Sequence, residues 1–429
     1  MTATREYALP GIWVREHRVP VPLDWSDEGG PGIEVFVREL SDPSRRHDDL
    51  PLLVFLQGGP GGKSPRPVDR TGWIGEALER FRVVLLDQRG TGRSTPVDGT
   101  HVDGLDAVAA ADYLCHFRAD SIVRDAEHVR QVVYGGRRWS TLGQSYGGFI
   151  TLTYLSTAPE GLAACYVTGG IPAVPPDAGA VYRHTYDRLE RKNAELVARY
   201  PHLVGELAEI ADALDAADVR LPDGDRLTVR RLQSLGIDLG MGPGPQRLHW
   251  LLTEAFREPG VLHPKFLEEV QLRTASTDNP LFWVLQEFIY GDGANGPTGW
   301  AAQAERDRRP AFDERARPLL LTGEMTYPWM FSEVRALRPF RPAVEELAGR
   351  EVWSQLYEPE RLAANEVPLA CAVYFEDMFV ESALSLRTLE GVGSSRAWVT
   401  NEFEHDGLQS GRVLTRLVEL VEEQGGARR

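Results

Sequence analysis

Residues 139–156 read WSTLGQSYGGFITLTYLS, and this stretch decides the fold. Trp139 to Leu142 is a short strand-like run that breaks into Gly143-Gln144-Ser145-Tyr146-Gly147, after which Phe149 to Ser156 has helical character. A short apolar run that stops at glycines reads as a buried parallel strand ending in a tight loop. A G-x-S-x-G pattern at a strand-to-helix junction is a nucleophile elbow: the serine sits on a strained turn, and small flanking residues let strand and helix approach. The pentapeptide alone is weak in a chain with 42 glycines, and its specificity comes from the strand, turn and helix around it.

The same pattern recurs on both sides. Pro51 to Leu56 (PLLVFL) breaks into QGGPGG at residues 57–62, Arg82 to Leu86 (RVVLL) into DQRGTGRSTP, and Ala164 to Val167 into TGGIP. Between them Asp120 to Tyr134 keeps helical spacing in Ile122, Ala126, Val129 and Val133. Strands alternating with helices imply an α/β fold with a parallel sheet. After Pro176 the chain turns helical and charged, through Tyr182 to Leu214 and on to about Arg309, as expected of a helical insertion above a sheet. Strand-like runs resume at Pro318 to Thr322 (PLLLT), Pro368 to Phe375 (PLACAVYF) and Arg396 to Thr400 (RAWVT). An amphipathic helix closes the chain from Arg412 to Gln424, with Val413, Leu414, Leu417, Leu420 and Val421 on one face. The expected division is a core of residues 1–175 and 311–429 with a helical cap at 176–310.

The whole chain, 429 residues, carries 63 Asp and Glu against 47 Lys and Arg, a net charge of −16. A nucleic-acid partner is excluded, because polyphosphate binding needs a basic surface. Lys63, Lys192 and Lys265 are the only lysines, a bias from which no mechanism follows. Cys115, Cys165 and Cys371 lie far apart, with neither a disulfide framework nor metal-ligand spacing. No apolar run is long enough to span a membrane, and Met1 to Val19 has no apolar stretch behind a basic one, so a cytoplasmic protein is expected.

A serine nucleophile needs a base, usually a histidine held by a carboxylate. His17, His47, His101, His116 and His128 precede the elbow, and His184, His202, His249 and His263 belong to the insertion. Only His405 follows the last core strand, and partners on an elbow fold come in the order serine, acid, histidine. Asp377, at the end of PLACAVYF, is the preferred acid. Its neighbour Glu376 points the other way from a strand end, and choosing Glu324 would leave that strand without a role. The oxyanion needs preorganised N–H donors: Tyr146, after the nucleophile, and Gly59, in the glycine loop after an earlier strand. That loop is no P-loop, since Gln57 stands where the pattern needs glycine and Pro60 removes an N–H. RGTGRS at Arg89 to Ser94 is too short for a dinucleotide fingerprint and instead shapes a turn beside the site. No metal or other cofactor is expected.

QGGPGG, LDQRGTGRS, GQSYGG and the pair EDMFV and EFEHDGL together resemble the proline iminopeptidases (prolyl aminopeptidases) of the α/β-hydrolase superfamily, in their longer bacterial form. GEMTYPWMF at Gly323 to Phe331 and NPLFWVLQEFIYG at Asn279 to Gly291 extend the likeness along most of the chain. Gln57 stands where that family usually has histidine, which leaves the Gly59 backbone untouched. The resemblance implies an α/β-hydrolase fold with a cap, the triad Ser145, Asp377 and His405, and a peptide substrate with an unblocked N-terminal proline. Such a substrate needs carboxylates for its ammonium and apolar walls for its ring. Glu287 resembles the cap-helix glutamate the family uses for the amine, and Glu324 offers a second carboxylate. Phe149, Tyr290, Tyr327 and Trp329 are candidates for the ring pocket. The competing expectations are an esterase or amidase, an aminopeptidase for another N-terminal residue, and a binding protein that retains the fold without catalysis.

Overall fold

The glycine-ended apolar runs become parallel strands. A computed structural model of the chain describes residues 5–428. In chain order its strands are β1 (Arg5–Leu9), β2 (Ile12–Pro22), β3 (Gly32–Ser41), β4 (Leu52–Leu56), β5 (Arg82–Asp87), β6 (Trp139–Gln144), β7 (Leu162–Thr168), β8 (Phe256–Glu258), β9 (Val261–Leu262), β10 (Leu369–Tyr374) and β11 (Ser395–Thr400). Nine of them form one sheet in the order β1-β2-β3-β5-β4-β6-β7-β10-β11, while β8 and β9 make a separate hairpin. The six strands from β5 to β11 in that order run parallel. β1, β2 and β3 add an antiparallel edge, with β3 paired to β5. This edge escapes a search for apolar runs because Arg15, Glu16 and Arg18 interrupt β2 between its buried residues Ile12, Val14, Val19 and Val21.

Alternate residues of the central strands serve two cores. Leu53 and Phe55 of β4 pack with Trp73 and with Leu414 and Leu417 of the terminal helix Val413–Glu423. Leu52, Val54 and Leu56 face the other side, where the core continues through Tyr182, Tyr186 and Leu189 into the insertion. The expected helix Asp120 to Tyr134 forms as Ala119–Tyr134. The stretch Tyr182 to Leu214 divides into helices Ala178–Arg199 and Leu203–Ala216. Between them stands Pro201, which has no N–H to continue the first helix.

One expected strand does not form. Pro318 to Thr322 joins no sheet, although Leu319 and Leu321 are buried. Side-chain amides and a backbone carbonyl of the inserted helical segment satisfy its polar groups instead. Asn193 accepts from the Leu321 N–H at 2.8 Å and donates to its carbonyl at 3.0 Å. Gln233 donates to the Leu320 carbonyl at 2.9 Å, and the Gln233 carbonyl accepts from the Thr322 N–H at 2.8 Å. Burial requires that backbone groups be paired, not that a strand pair them. A core resuming at residue 311 depended on that strand; the sheet is re-entered only at Leu369, in β10. The loops after β4, β6, β10 and β11 all leave the same edge of the sheet, because those strands are parallel. The strand order reverses at β4, the kind of place where open α/β sheets form their crevice.

Candidate active site

Ser145 follows β6 with φ 55° and ψ −125°, a conformation that L-residues avoid. The turn is pinned on both sides: the Ser145 N–H donates to the Thr168 carbonyl at 3.0 Å, and the Gly148 N–H donates to the Ser145 carbonyl at 2.7 Å. Helix Tyr146–Thr157 starts at once. A methyl group on Gly147 would overlap the Leu56 carbonyl oxygen, and one on Gly143 would overlap the Gly147 carbonyl. Both neighbours are backbone, which cannot swing aside. Gly147→Ala is therefore expected to cost at least about 3 kcal/mol of stability, the upper part of the usual overpacking range, and urea unfolding measures it.

Asp377 and His405 leave the ends of β10 and β11. His405 Nδ1 lies 2.7 Å from Asp377 Oδ2. The other carboxylate oxygen, Oδ1, accepts from the Phe379 N–H at 2.8 Å and the Val380 N–H at 3.1 Å. Asp377 and His405 are 1% and 4% exposed, and Ser145 is 7% exposed. Burial pulls the His405 pKa down, but the charge and hydrogen bond of Asp377, helped by Glu324 and Asp406, hold it above the ordinary value. With Nδ1 donating to Asp377, Nε2 carries the free lone pair that a base needs. Phe379 sets its ring perpendicular to the imidazole at 4.8 Å between centroids. Glu376 lies in the turn that follows β10, closed by the Asp377 N–H donating to the Tyr374 carbonyl at 3.2 Å, and it pairs with Arg188 of the insertion.

The glycine loop after β4 lies alongside the elbow. Its closest approach is at Gly58, where a methyl group would come within 2.9 Å of Ser145 Cβ. Gly59, the expected donor, has φ 129°, which requires glycine, and its nearest neighbours are the N atoms of Gly61 and Gly62. The loop is braced by Gln88, the residue before the RGTGRS turn, which donates to the Gln57 carbonyl at 2.8 Å. Tyr146 occupies the first helical position, where an N–H has no partner within the helix.

The two expected amine readers differ in setting. Glu287 is fully buried, and its oxygens accept from the Ala301 N–H at 3.0 Å and the Ala302 N–H at 3.2 Å, in the first turn of helix Ala301–Asp307. Glu324 is partly exposed. Burial pushes both pKa values up to about 7; hydrogen bonds oppose the rise at Glu287, whereas His405 opposes and Asp377 reinforces it at Glu324. The charges of both carboxylates act on the hydroxyls of Tyr182 and Tyr290. From there the rings form a row: Tyr182 to Tyr290 at 6.0 Å, Tyr290 to Phe149 at 6.3 Å, and Phe149 to Tyr146 at 5.8 Å. That row ends at Tyr146, the residue after Ser145. Tyr327 and Trp329 make other contacts. The Tyr327 hydroxyl meets that of Tyr186 at 2.7 Å, and the Trp329 ring stacks on Tyr327 and lies under the Arg230 guanidinium. No group of three or more His, Cys, Asp or Glu arranged to hold a metal occurs among the described residues. No helix there is long and apolar enough to cross a membrane.

The alpha/beta hydrolase fold family matches residues 51–322 of the chain. A proline iminopeptidase from Aeromonas sobria is 46% identical over 424 residues, which cover 98% of this chain and 99% of that protein. The chain belongs to the proline iminopeptidase family of α/β hydrolases. A proline iminopeptidase from Aspergillus aculeatus is 32% identical over 430 residues, covering 95% of this chain and 94% of that one. The crystal structure of a proline iminopeptidase from Mycobacterium smegmatis covers 99% of this chain and 98% of its own with a TM-score of 0.42 and 13% identity, a likeness that adds nothing to the sequence match.

Within this proline iminopeptidase fold, sequence reasoning missed Gly58, Tyr182 and Gln286. Gly58 is the first glycine after β4, so its place was legible. Tyr182 lies in a charged helix and resembled surface there. Gln286 is buried beside Glu324, to which it is hydrogen-bonded, and nothing in its sequence neighbourhood singles it out.

Proposed function

We infer that the chain is a serine aminopeptidase that releases N-terminal proline from peptides through an acyl-enzyme intermediate. The observation that carries the catalytic assignment is the 2.7 Å contact of His405 Nδ1 with Asp377 on the sheet edge that also bears the strained Ser145. Ser145 Oγ attacks the carbonyl of the N-terminal residue while His405 Nε2 takes its proton. The oxyanion is held by the Tyr146 N–H and a second N–H of the Gly58-Gly59 loop. His405 then protonates the leaving amine, and water, activated by the same imidazole, releases proline. The helical segment between β7 and β10 acts as the cap.

The free amine is read by Glu324, with Glu287 behind it. Glu287 already spends both oxygens on backbone N–H groups, so Glu324 is the better partner for an arriving ammonium. Tyr182, Tyr290 and Phe149 supply walls for the pyrrolidine ring. Glu324→Gln is expected to raise KM for a proline arylamide by about 10- to 100-fold, the worth of one charged hydrogen bond, with a smaller effect on kcat. Equal cleavage of N-blocked and free proline arylamides by the wild type would refute this assignment, and a faster rate on alanine than on proline arylamide would refute the ring pocket.

The pH dependence follows in sign. With folded pKa values of about 7, the two carboxyls are protonated below that pH and offer the ammonium no charge. KM for the proline arylamide should therefore fall as pH rises through 7, and rise again once the substrate amine loses its own proton, at about 8 for an ordinary α-amine. Steady-state profiles from pH 5.5 to 9 test it, and a KM independent of pH on the acid side contradicts it.

A further inference from the structure

One helix of the insertion reaches both loops that carry the acid and the base. In helix Ala178–Arg199, Arg188 and Lys192 stand four residues apart and so share a face. They are only 4% and 5% exposed. Arg188 donates to Glu376 and, at 3.1 Å, to Glu381, on either side of Asp377 in the chain. Its guanidinium also lies 5.9 Å from the Phe375 ring centroid. Lys192 donates to Glu404, the residue before His405, at 2.6 Å. A second segment of the insertion adds backbone ties. The His405 N–H donates to the Gly240 carbonyl at 3.1 Å, and the Gly242 N–H donates to Asp406 Oδ1 at 2.9 Å.

Such pairs are poor devices for stability, since burying the cation costs much of what its attraction to the carboxylate returns. They are good devices for register, because each ion is badly placed anywhere else. The register they define concerns two loops that have to meet at a single hydrogen bond, Nδ1 to Oδ2.

We propose that Arg188 and Lys192 are positioning residues for catalysis. Through Glu376, Glu381 and Glu404 they hold the Asp377 and His405 loops at the spacing the acid–base pair needs, so the docked insertion sets the triad geometry. The proposal rests on the serine-peptidase reading above. A displacement of about 1 Å at a reacting group can cost about 100-fold in rate. Anchoring of the insertion alone would have another signature, because Glu287, Tyr182 and Tyr290 belong to it and a loosened insertion would weaken substrate binding.

The test compares wild type, Lys192→Met, Glu404→Gln and the double variant on a proline arylamide. Alongside kcat and KM it measures the inhibition constant of free proline and the rate of Ser145 modification by a serine-directed phosphonate. Each single variant should lower kcat and the phosphonate rate together, by about 10- to 100-fold. KM and the proline inhibition constant should stay within about twofold of wild type, and the double variant should be no worse than the singles. A wild-type kcat in Lys192→Met, or a kcat loss accompanied by weaker proline binding and an unchanged phosphonate rate, overturns the proposal. Should Lys192→Met fail to fold, Glu404→Gln, on the core side, decides alone. An inactive wild type or an active Ser145→Ala would instead sink the peptidase reading, and the two failures are distinct.

Discussion

Asp377→Asn is expected to lower kcat by about 10⁴-fold while leaving KM and the fold almost unchanged. The reason is local. Asp377 Oδ1 already accepts from the Phe379 and Val380 N–H groups, so the carbonyl oxygen of an asparagine will be drawn to that side. Its NH2 group then faces His405 Nδ1 where Oδ2 stood, 2.7 Å away. Two donors cannot share that gap, so Nδ1 must become the acceptor and the proton moves to Nε2. An imidazole protonated at Nε2 cannot take the serine proton. The loss of the Asp377 charge also removes the influence that holds the His405 pKa above its ordinary value, so the acid limb of the kcat/KM profile should move to lower pH. A kcat within tenfold of wild type would show that Asp377 does not orient the base.

Ser145→Ala should abolish turnover, with a fall of about 10⁶-fold in kcat by analogy with other serine triads, and should end labelling by the phosphonate. Stability should hardly change, because alanine keeps the Cβ and hence the same backbone strain at φ 55°. Ser145→Gly makes the sharper comparison. Glycine accepts that conformation freely, so this equally inactive variant should be more stable than wild type by about 1 kcal/mol or more in urea unfolding. A less stable Ser145→Gly would mean that the elbow stores no strain.

Much of this site was legible because its chemistry is written in short segments. A nucleophile on a strained turn needs small residues at Gly143 and Gly147, where the neighbouring backbone leaves no room for a side chain. A histidine after the last strand left only His405, whereas the choice between Asp377 and Glu376 fell to the turn after β10, which sets Asp377 on His405 and Glu376 on Arg188. The pattern misled where burial was taken for strand pairing. Pro318 to Thr322 has the composition of a core strand, yet Asn193 and Gln233 satisfy its backbone. The antiparallel edge β1 to β3 was missed for the opposite reason, since charged residues among the buried ones of β2 break the apolar run.

Taken alone, the sequence determined the class of fold and the family, and it singled out Ser145, Asp377 and His405, because each depends on residue type and spacing along the chain. Only the tertiary structure decided that Gly58 abuts Ser145, that Tyr182 heads the row of rings toward Phe149, and that Arg188 and Lys192 pair with carboxylates on the loops of Asp377 and His405. Those relations join residues far apart in the chain, and no local periodicity records them. Lys192 shows the difference most plainly. As one of three lysines it carried no message in the sequence; buried 2.6 Å from Glu404, it has a partner and a place beside His405.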